Sequence, residues 1–153
     1  MLIQLVAFIL GKQQYALPLR AVQGVVRMVE VTPLPKAPEV VLGVIDFRGI
    51  IIPVMSLRKR FDLPEPENSM SDQLIVANMA TRSVALVVNF VTGVLERTVE
   101  EVEEAEKIVP GAQYVEAITR LQGGILFIHN LEHFFSGKEE RQLCALLAQS
   151  AGR

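Results

Sequence analysis

The sequence predicts a mainly β chain built as two similar small barrels in tandem, and three observations point there. First, the chain repeats itself. Residues 15–26 (YALPLRAVQGVV) align without gaps on residues 84–95 (VALVVNFVTGVL) and share Ala16/Ala85, Leu17/Leu86, Val22/Val91, Gly24/Gly93 and Val25/Val94. Residues 49–61 align in the same way on residues 123–135, at Gly49/Gly123, Ile51/Ile125, Leu57/Leu131 and Phe61/Phe135. Second, the offset is 69 in the first pair and 74 in the second, so both halves keep one order of parts and the later half carries a five-residue insertion. Third, the apolar runs are short, rich in Val and Ile, and bounded by glycine turns, which is the pattern of strands. Stacked solenoids generally need three or more repeats with caps. Two copies therefore predict a pair of packed barrels with a groove where they meet.

Each element follows in order. Residues 2–10 (LIQLVAFIL) and 15–19 are strand-like, joined by Gly11, Lys12, Gln13 and Gln14 as a hairpin loop. Pro18 has no amide hydrogen for a ladder, which places it at an edge or a strand end. Residues 21–31 form a Val-rich strand with Gly24 at a bulge or close backbone approach. Residues 32–38 (TPLPKAP) are a stiff connector. GVIDFRGIIIPV, from Gly43, gives two strands around Arg48-Gly49, where glycine takes the positive φ of a tight hairpin. Residues 56–61 suit a short helix. Residues 63–72 carry two prolines and no apolar rhythm, and mark the linker.

The second unit opens with a strand over 73–79, turns at Thr81-Arg82-Ser83, and continues over 84–91 and 93–98. Six glutamates lie between Glu96 and Glu106; this run is expected to be a solvated loop or helical turn. Residues 117–122 and 125–130 flank Gly123-Gly124 as a last hairpin. Ser136 with Glu139 three residues on is a capping box, and it opens a helix with Leu143, Leu146 and Leu147 on one face. The expected organisation is one domain over 1–153. Its approximate units are 1–65 and 73–135, with a C-terminal helix over 136–150 and strands free to exchange between the units.

Composition excludes several functions. Half of the 153 residues are apolar and 21% are charged, which rules out a disordered segment and suits a sizeable core. A net charge of −2 and a pI near 5.7 argue against phosphate-backbone binding, which needs clustered Lys and Arg. No apolar stretch approaches twenty residues, so no direct membrane insertion is expected. The single cysteine, Cys144, makes no internal bridge and fits a reducing cytoplasm; its place on a helical face suggests a buried thiol.

Catalytic constellations are missing. His129 and His133 are four apart, but His129 belongs to a strand, and the glutamate and third ligand of an HExxH site are absent. There is no GxSxG, P-loop or GxGxxG motif and no second cysteine for zinc. Asp46, Asp62 and Asp72 have no recognisable pairing. No cofactor is implied. Arg58, Lys59 and Arg60, adjacent in sequence, fan around a short helix and are expected to solvate it. Arg48 stands apart: it precedes the hairpin glycine among Phe47 and Ile50–Ile52. A turn arginine is most often simply solvated; the other reading is an interface anchor, a role in which Arg is enriched.

The strings FILGKQQYALPLRAVQGVVR, TPLP and GVIDFRGIIIPVMSLRKRF resemble the CheW family of bacterial chemotaxis adaptors over nearly the whole chain. The family pattern G-V-x-x-x-R-G-x-x-x-P-V-x-D-L-R-x-x-F is met at Gly43, Val44, Arg48, Gly49, Pro53, Val54, Leu57, Arg58 and Phe61. The resemblance implies two SH3-like five-stranded barrels with a few short helices and no catalytic activity. It also implies two partners, the regulatory domain of a CheA-type histidine kinase and the cytoplasmic tip of chemoreceptors, and a place in the cytoplasm at membrane-associated receptor arrays. The family's receptor-binding arginine falls on Arg48, and two further contact positions fall on Val22 and Gly24. Three departures stand out: Gly24 where many members have glutamate, Ser56 where the pattern has aspartate, and Asn89 where aspartate often follows the strand. These changes suit a scaffold for non-flagellar motility as well as a flagellar adaptor. The competing readings are a small-barrel nucleic-acid or ligand-binding module and an unrecognised hydrolase or metal enzyme.

Overall fold

The computed structural model describes residues 1–64, 70–110 and 114–151, with side chains to Ala148. Half of the sequence-predicted linker, residues 65–69, lies outside the described residues. Among the described residues, eleven strands form two sheets. They are β1 Leu2–Leu10, β2 Gln13–Pro18, β3 Val22–Arg27, β4 Val41–Phe47, β5 Ile50–Ser56, β6 Gln73–Asn78, β7 Ser83–Val88, β8 Phe90–Thr98, β9 Val102–Glu104, β10 Val115–Leu121 and β11 Gly124–His129. Three helices follow β5, β9 and β11 respectively: α1 Leu57–Arg60, α2 Ala105–Ile108 and α3 Gly137–Ala151.

One sheet has the order β8-β1-β2-β11-β10-β9 and the other β3-β6-β7-β5-β4. Neither sheet is drawn from one half of the chain. Hairpin β1–β2 joins strands from after the linker, and hairpin β6–β7 joins strands from before it. The sequence repeat explains the symmetry of this exchange. The parallel pair β11–β2 aligns Ile128 with Ala16, and the parallel pair β5–β7 aligns Val54 with Ala85. These residues stand at the sequence offsets of 69 and 74. Each SH3-like barrel thus takes its first two strands from one repeat and the rest from the other.

Bulges recur at equivalent places. Gln23 is the extra residue between Val22↔Ala77 and Gly24↔Val76, and Thr92 is the extra residue between Val91↔Phe8 and Gly93↔Ala7. Two more fall at Val41/Gly43 and at Val115/Ala117. A bulge bends a strand and changes which face its later side chains occupy. Accordingly Val22 packs on the core between the barrels and Val26 on the core inside the five-stranded one, although both have even numbers. Val91 and Leu95 divide in the same way in the other barrel.

The central hairpins show period-2 alternation with both faces buried. Along β1 and β2, Leu5, Ala7 and Ala16 fill one barrel while Phe8, Leu10, Tyr15 and Leu17 face the other. Along β6 and β7, Leu74, Val76, Ala85 and Val87 fill the second barrel while Ile75, Ala77, Val84, Leu86 and Val88 face back. The shared layer is the largest of the three cores. The capping box of α3 is formed as expected: the Ser136 amide donates to Glu139 Oε1 at 2.8 Å and the Glu139 amide to Ser136 Oγ at 3.1 Å. Leu143 of α3 is fully buried in the shared layer.

Three expectations need correction. The acidic run is not only a loop or helical turn. After a 3₁₀ turn at Val99–Glu101 it supplies β9, which pairs with β10 and makes one sheet six-stranded where five strands were expected. Val102 turns inward there while the glutamates stay exposed, an alternation hidden by the density of charge. Cys144 is exposed, because it lies about 100° around the helix from Leu143, off the buried stripe. Arg58 and Arg60 do not solvate α1. Arg58 is buried and donates to Asn89 Oδ1 at 2.9 Å, and Arg60 reaches Glu139 through two bonds of 2.7 and 2.9 Å. Long basic stems on a four-residue helix fold back onto neighbouring elements, because the helix itself is packed between the barrels.

His129 sits in an aromatic cluster at 1% exposure, stacked on Phe61 at 4.6 Å and tilted 5.1 Å from Tyr15. Burial lowers its pKa to about 4, opposed by its hydrogen bond to the Tyr114 carbonyl. The unfolded chain takes up this proton near pH 6.5 and the folded chain only near 4. The contribution is therefore fully present above pH 6.5 and falls away towards pH 4, by about 3 kcal/mol in all. Denaturant titrations at pH 7.5 and 5 are expected to show that decline before most carboxylates titrate. Gly43 offers a second test. Its φ is +155°, and a Cβ there would lie 2.1 Å from the Thr32 carbonyl oxygen, which accepts from the Val44 amide at 2.8 Å. Gly43→Ala is expected to lower unfolding free energy by roughly 3 kcal/mol or more, read from the same titrations.

Candidate functional site

Arg48 and Gly49 make the two-residue loop between β4 and β5, with φ of 53° and 86°. Two successive left-handed residues match the twist of the flanking strands. Asp46 Oδ1 accepts the Gly49 amide at 2.8 Å and braces the turn. Glycine adopts this backbone freely, whereas a side-chain-bearing residue there costs on the order of 1 kcal/mol. The Arg48 guanidinium lies 4.8 Å from the centroid of the Phe47 ring, a cation–π contact, while Phe47 packs against the barrel core. Ile50 and Ile51 follow at 64% and 53% exposure. The hairpin tip is therefore a stiff apolar surface carrying one cation.

Val22 and Gly24 lie on β3, at the far edge of the same sheet, with β6, β7 and β5 between them and β4. The structure brings Val22 and Gly24 together around one bulge; Arg48 follows β4 at the other end of the strand order, and the chain after β3 pairs back onto β4 through the Thr32–Val44 bridge. The bulged Gln23 points outward and donates to Asn78 Oδ1, and to Ser83 Oγ at 2.7 Å. Gly24 has no left-handed φ, and a Cβ on it would meet nothing within 4 Å. Its lack of a side chain is not imposed by the fold. A cleft of about 390 Å³ between the barrels is lined by Arg20 and Ala21, by Asn78–Ala80, and by Asn130 and Glu132. It adjoins Val22 and does not include Arg48.

The other departures from the family pattern have local roles. Ser56 caps α1 by accepting the Lys59 amide at 3.2 Å, the work an aspartate would do there. Asn89 Oδ1 accepts from Arg58 and, at 2.6 Å, from the Gly11 amide, so a neutral amide oxygen meets the buried guanidinium. Asp62 ends α1 with φ of 55°, and Asp72 is buried, its carbonyl accepting the Met28 amide at 3.1 Å. His129 is buried and His133 is exposed. Among the described residues no group of three or more His, Cys, Asp or Glu is placed to hold a metal.

One surface escaped the sequence reading. A groove of about 570 Å³ on the six-stranded barrel contains Ile108, Val109 and Ile125, with Glu100, Glu101 and Glu103 at its rim. Ile125 is 51% exposed, much like its repeat equivalent Ile51. That shared isoleucine was the available signal; the α2 contribution had none, because two apolar residues beside a charged run define no face.

Twin barrels with exposed apolar hairpins, an arginine projecting from one hairpin tip and an acid-rimmed groove define a protein-docking module. The comparisons agree. The CheW-like domain profile matches residues 4–139, and the chain belongs to that family. It is 28% identical over 149 residues to the chemotaxis protein CheW of Treponema pallidum, covering 94% of this chain and 88% of the relative. It is also 28% identical over 134 residues to CheW of Klebsiella aerogenes, covering 86% and 81%. The crystal structure of the scaffolding protein TtCheW from Thermoanaerobacter tengcongensis superposes with a TM-score of 0.81 at 28% identity, over 91% of this chain and 96% of that one.

The open space at Gly24 gives a clean expectation. Gly24→Glu, which restores the residue many family members carry, is expected to change unfolding free energy by less than about 0.5 kcal/mol in a thermal melt.

Proposed function

We infer that this protein is a non-catalytic adaptor coupling the cytoplasmic tip of a chemoreceptor to a CheA-type histidine kinase in a chemosensory array. One observation carries the reading: Arg48, at the position of the family's receptor-binding arginine, is held in a left-handed turn where glycine or asparagine is favoured. A residue kept at a backbone cost, exposed and flattened on Phe47, supports a role at an interface. Val22 and Gly24 are proposed to extend the receptor surface along β3, and the absent carboxylate at Gly24 changes which receptor side chains suit it.

The kinase's regulatory domain is proposed to dock on the apolar surface around Ile108, Val109 and Ile125. The stiffness of the barrels favours both contacts, because interface residues already ordered lose little entropy on association. A place in the cytoplasm beneath the membrane follows from this role; no helix of the described residues is long and apolar enough to cross a membrane. The net charge of −2 speaks against a nucleic-acid partner.

Arg48→Ala keeps the left-handed turn occupied by an L-residue, so the backbone cost is nearly unchanged. The variant is expected to weaken receptor binding by about 2 kcal/mol, the scale of an interface hot spot, with its melting temperature nearly unchanged. Co-sedimentation with receptor-containing membranes, beside a melting curve, checks both. Equal binding by the variant removes Arg48 from the receptor surface, whatever happens to kinase binding.

A further inference from the structure

Helix α3 follows β11 of the six-stranded barrel, yet the partners it grips belong to elements of the five-stranded one. Glu139 holds Arg60 at the end of α1 through bonds of 2.7 and 2.9 Å. Glu140 holds Thr81 and Arg82 in the β6–β7 turn, and Gln142 donates to the Lys36 carbonyl before β4. Apolar anchoring is thin by comparison. Over residues 137–148 only Leu143 is buried, Leu146 and Leu147 are half-buried, and Cys144, Ala145 and Ala148 are exposed. The chain leading into the helix is seated much more firmly, with Phe134 and Phe135 at 0% and 7% exposure.

The ion pairs that make up the difference are only half satisfied. Arg82 Nε, Arg82 Nη2 and Thr81 Oγ1 all donate to Glu140 Oε1, while Glu140 Oε2 is buried and has no partner. In the other pair both Glu139 oxygens are used, but Arg60 Nε is buried and unpaired. Among the described residues three buried side-chain polar atoms lack a hydrogen-bond partner, and two of them lie in these two pairs. A contact of this kind gives up hydration without replacing all of it, so it holds more weakly than its charges suggest. Water also reaches both pairs, whose side chains are 14–24% exposed.

We propose that α3 is a releasable clasp, which lets go of the five-stranded barrel as one unit while both barrels stay folded. No strand pairs with α3, so its release breaks no sheet hydrogen bond. The buried Phe134 and Phe135 keep the preceding chain in place, and the opening point is Ser136–Gly137. Release removes the ties to α1, to the β6–β7 turn and to the connector before β4 in one step. It therefore loosens the setting of one barrel against the other without exposing either barrel's interior. A helix of 15 residues is marginal in water on its own, so the released clasp unwinds. This opening is a sub-global event, lying between the fraying of an end and the unfolding of the whole chain. The clasp is a property of the fold and does not depend on which partners the protein joins.

Native-state amide hydrogen exchange on the full chain tests it. The probes are the amides of residues 141–147, which bond within the helix, and those of the β6–β7 hairpin, which pair in the middle of a sheet. In the wild type the helix amides are expected to exchange at least about 100-fold faster than the hairpin amides, and all at similar rates, as one opening unit does. The double variant Glu139→Gln/Glu140→Gln removes both ion pairs but keeps side-chain shape, and glutamine still serves at the third position of the capping box. It is expected to speed exchange in the helix by about a further tenfold and to leave the hairpin unchanged. The proposal is overturned if the wild-type helix exchanges at the hairpin's rate, because α3 then opens only with the whole molecule. It is equally overturned if the variant leaves the helix unchanged, or speeds helix and hairpin alike. The wild-type comparison decides the matter even if the variant folds poorly.

Discussion

The reciprocal exchange of strands between the two repeats is the constraint on which the rest of the structure depends. Hairpins β1–β2 and β6–β7 each complete the barrel begun by the other repeat, and both are buried on two faces. An SH3-like barrel lacking its first two strands exposes sheet edges and half its core, so neither repeat is a folding unit by itself. The shared layer, with Phe8, Leu17, Met55, Leu57, Ile75 and Leu86 almost wholly buried, is consequently the core of the molecule and not a seam between two bodies. Four bulges at repeat-equivalent places allow strands to leave that layer and enter a barrel.

Polar contacts around this layer fix what apolar packing leaves free. Helix α3 follows the last strand of one barrel and crosses to the other, where Glu139 holds Arg60 and Glu140 holds Arg82, each at 2.7 Å. The Arg60 pair lowers the pKa of Glu139, chiefly through the hydrogen bond. Gln142 donates to the Lys36 carbonyl at 2.7 Å and so fastens the connector before β4. Arg58 joins α1 to the β7–β8 corner through Asn89, and the same amide oxygen holds the β1–β2 turn at Gly11. Each contact links residues far apart in the chain. Together they set the angle between the barrels, and the docking surfaces inherit that rigidity.

Much of this was visible in the residues. The hairpin around Arg48-Gly49, the bulge near Gly24, the strand-ending Pro18 and the Ser136–Glu139 capping box all rest on interactions within a few residues of each other, and local chemistry decides those. What stayed hidden depended on distant partners. The basic residues after Ser56 look like solvating charges until α1 is seen packed against Asn89 and Glu139. The acidic run looks like a loop until β10 offers its edge to Val102–Glu104. Cys144 looked buried because helical periodicity defines a stripe only once the packed face is known. Within the site, Arg48 and the exposed isoleucines were legible; the groove that α2 forms with β11 was not.

The sequence by itself determined that the chain is a duplicated β structure and where its turns fall, because repeat spacing, strand alternation and glycine conformation are properties of neighbouring residues. It also determined the family, through an Arg-Gly turn set in an apolar frame. Tertiary structure alone decided which strands complete which barrel, which charges are buried and paired, and that His129 is buried among aromatic rings. Those outcomes follow from contacts between residues many positions apart, where the energy of burying a group depends on what the rest of the chain brings against it.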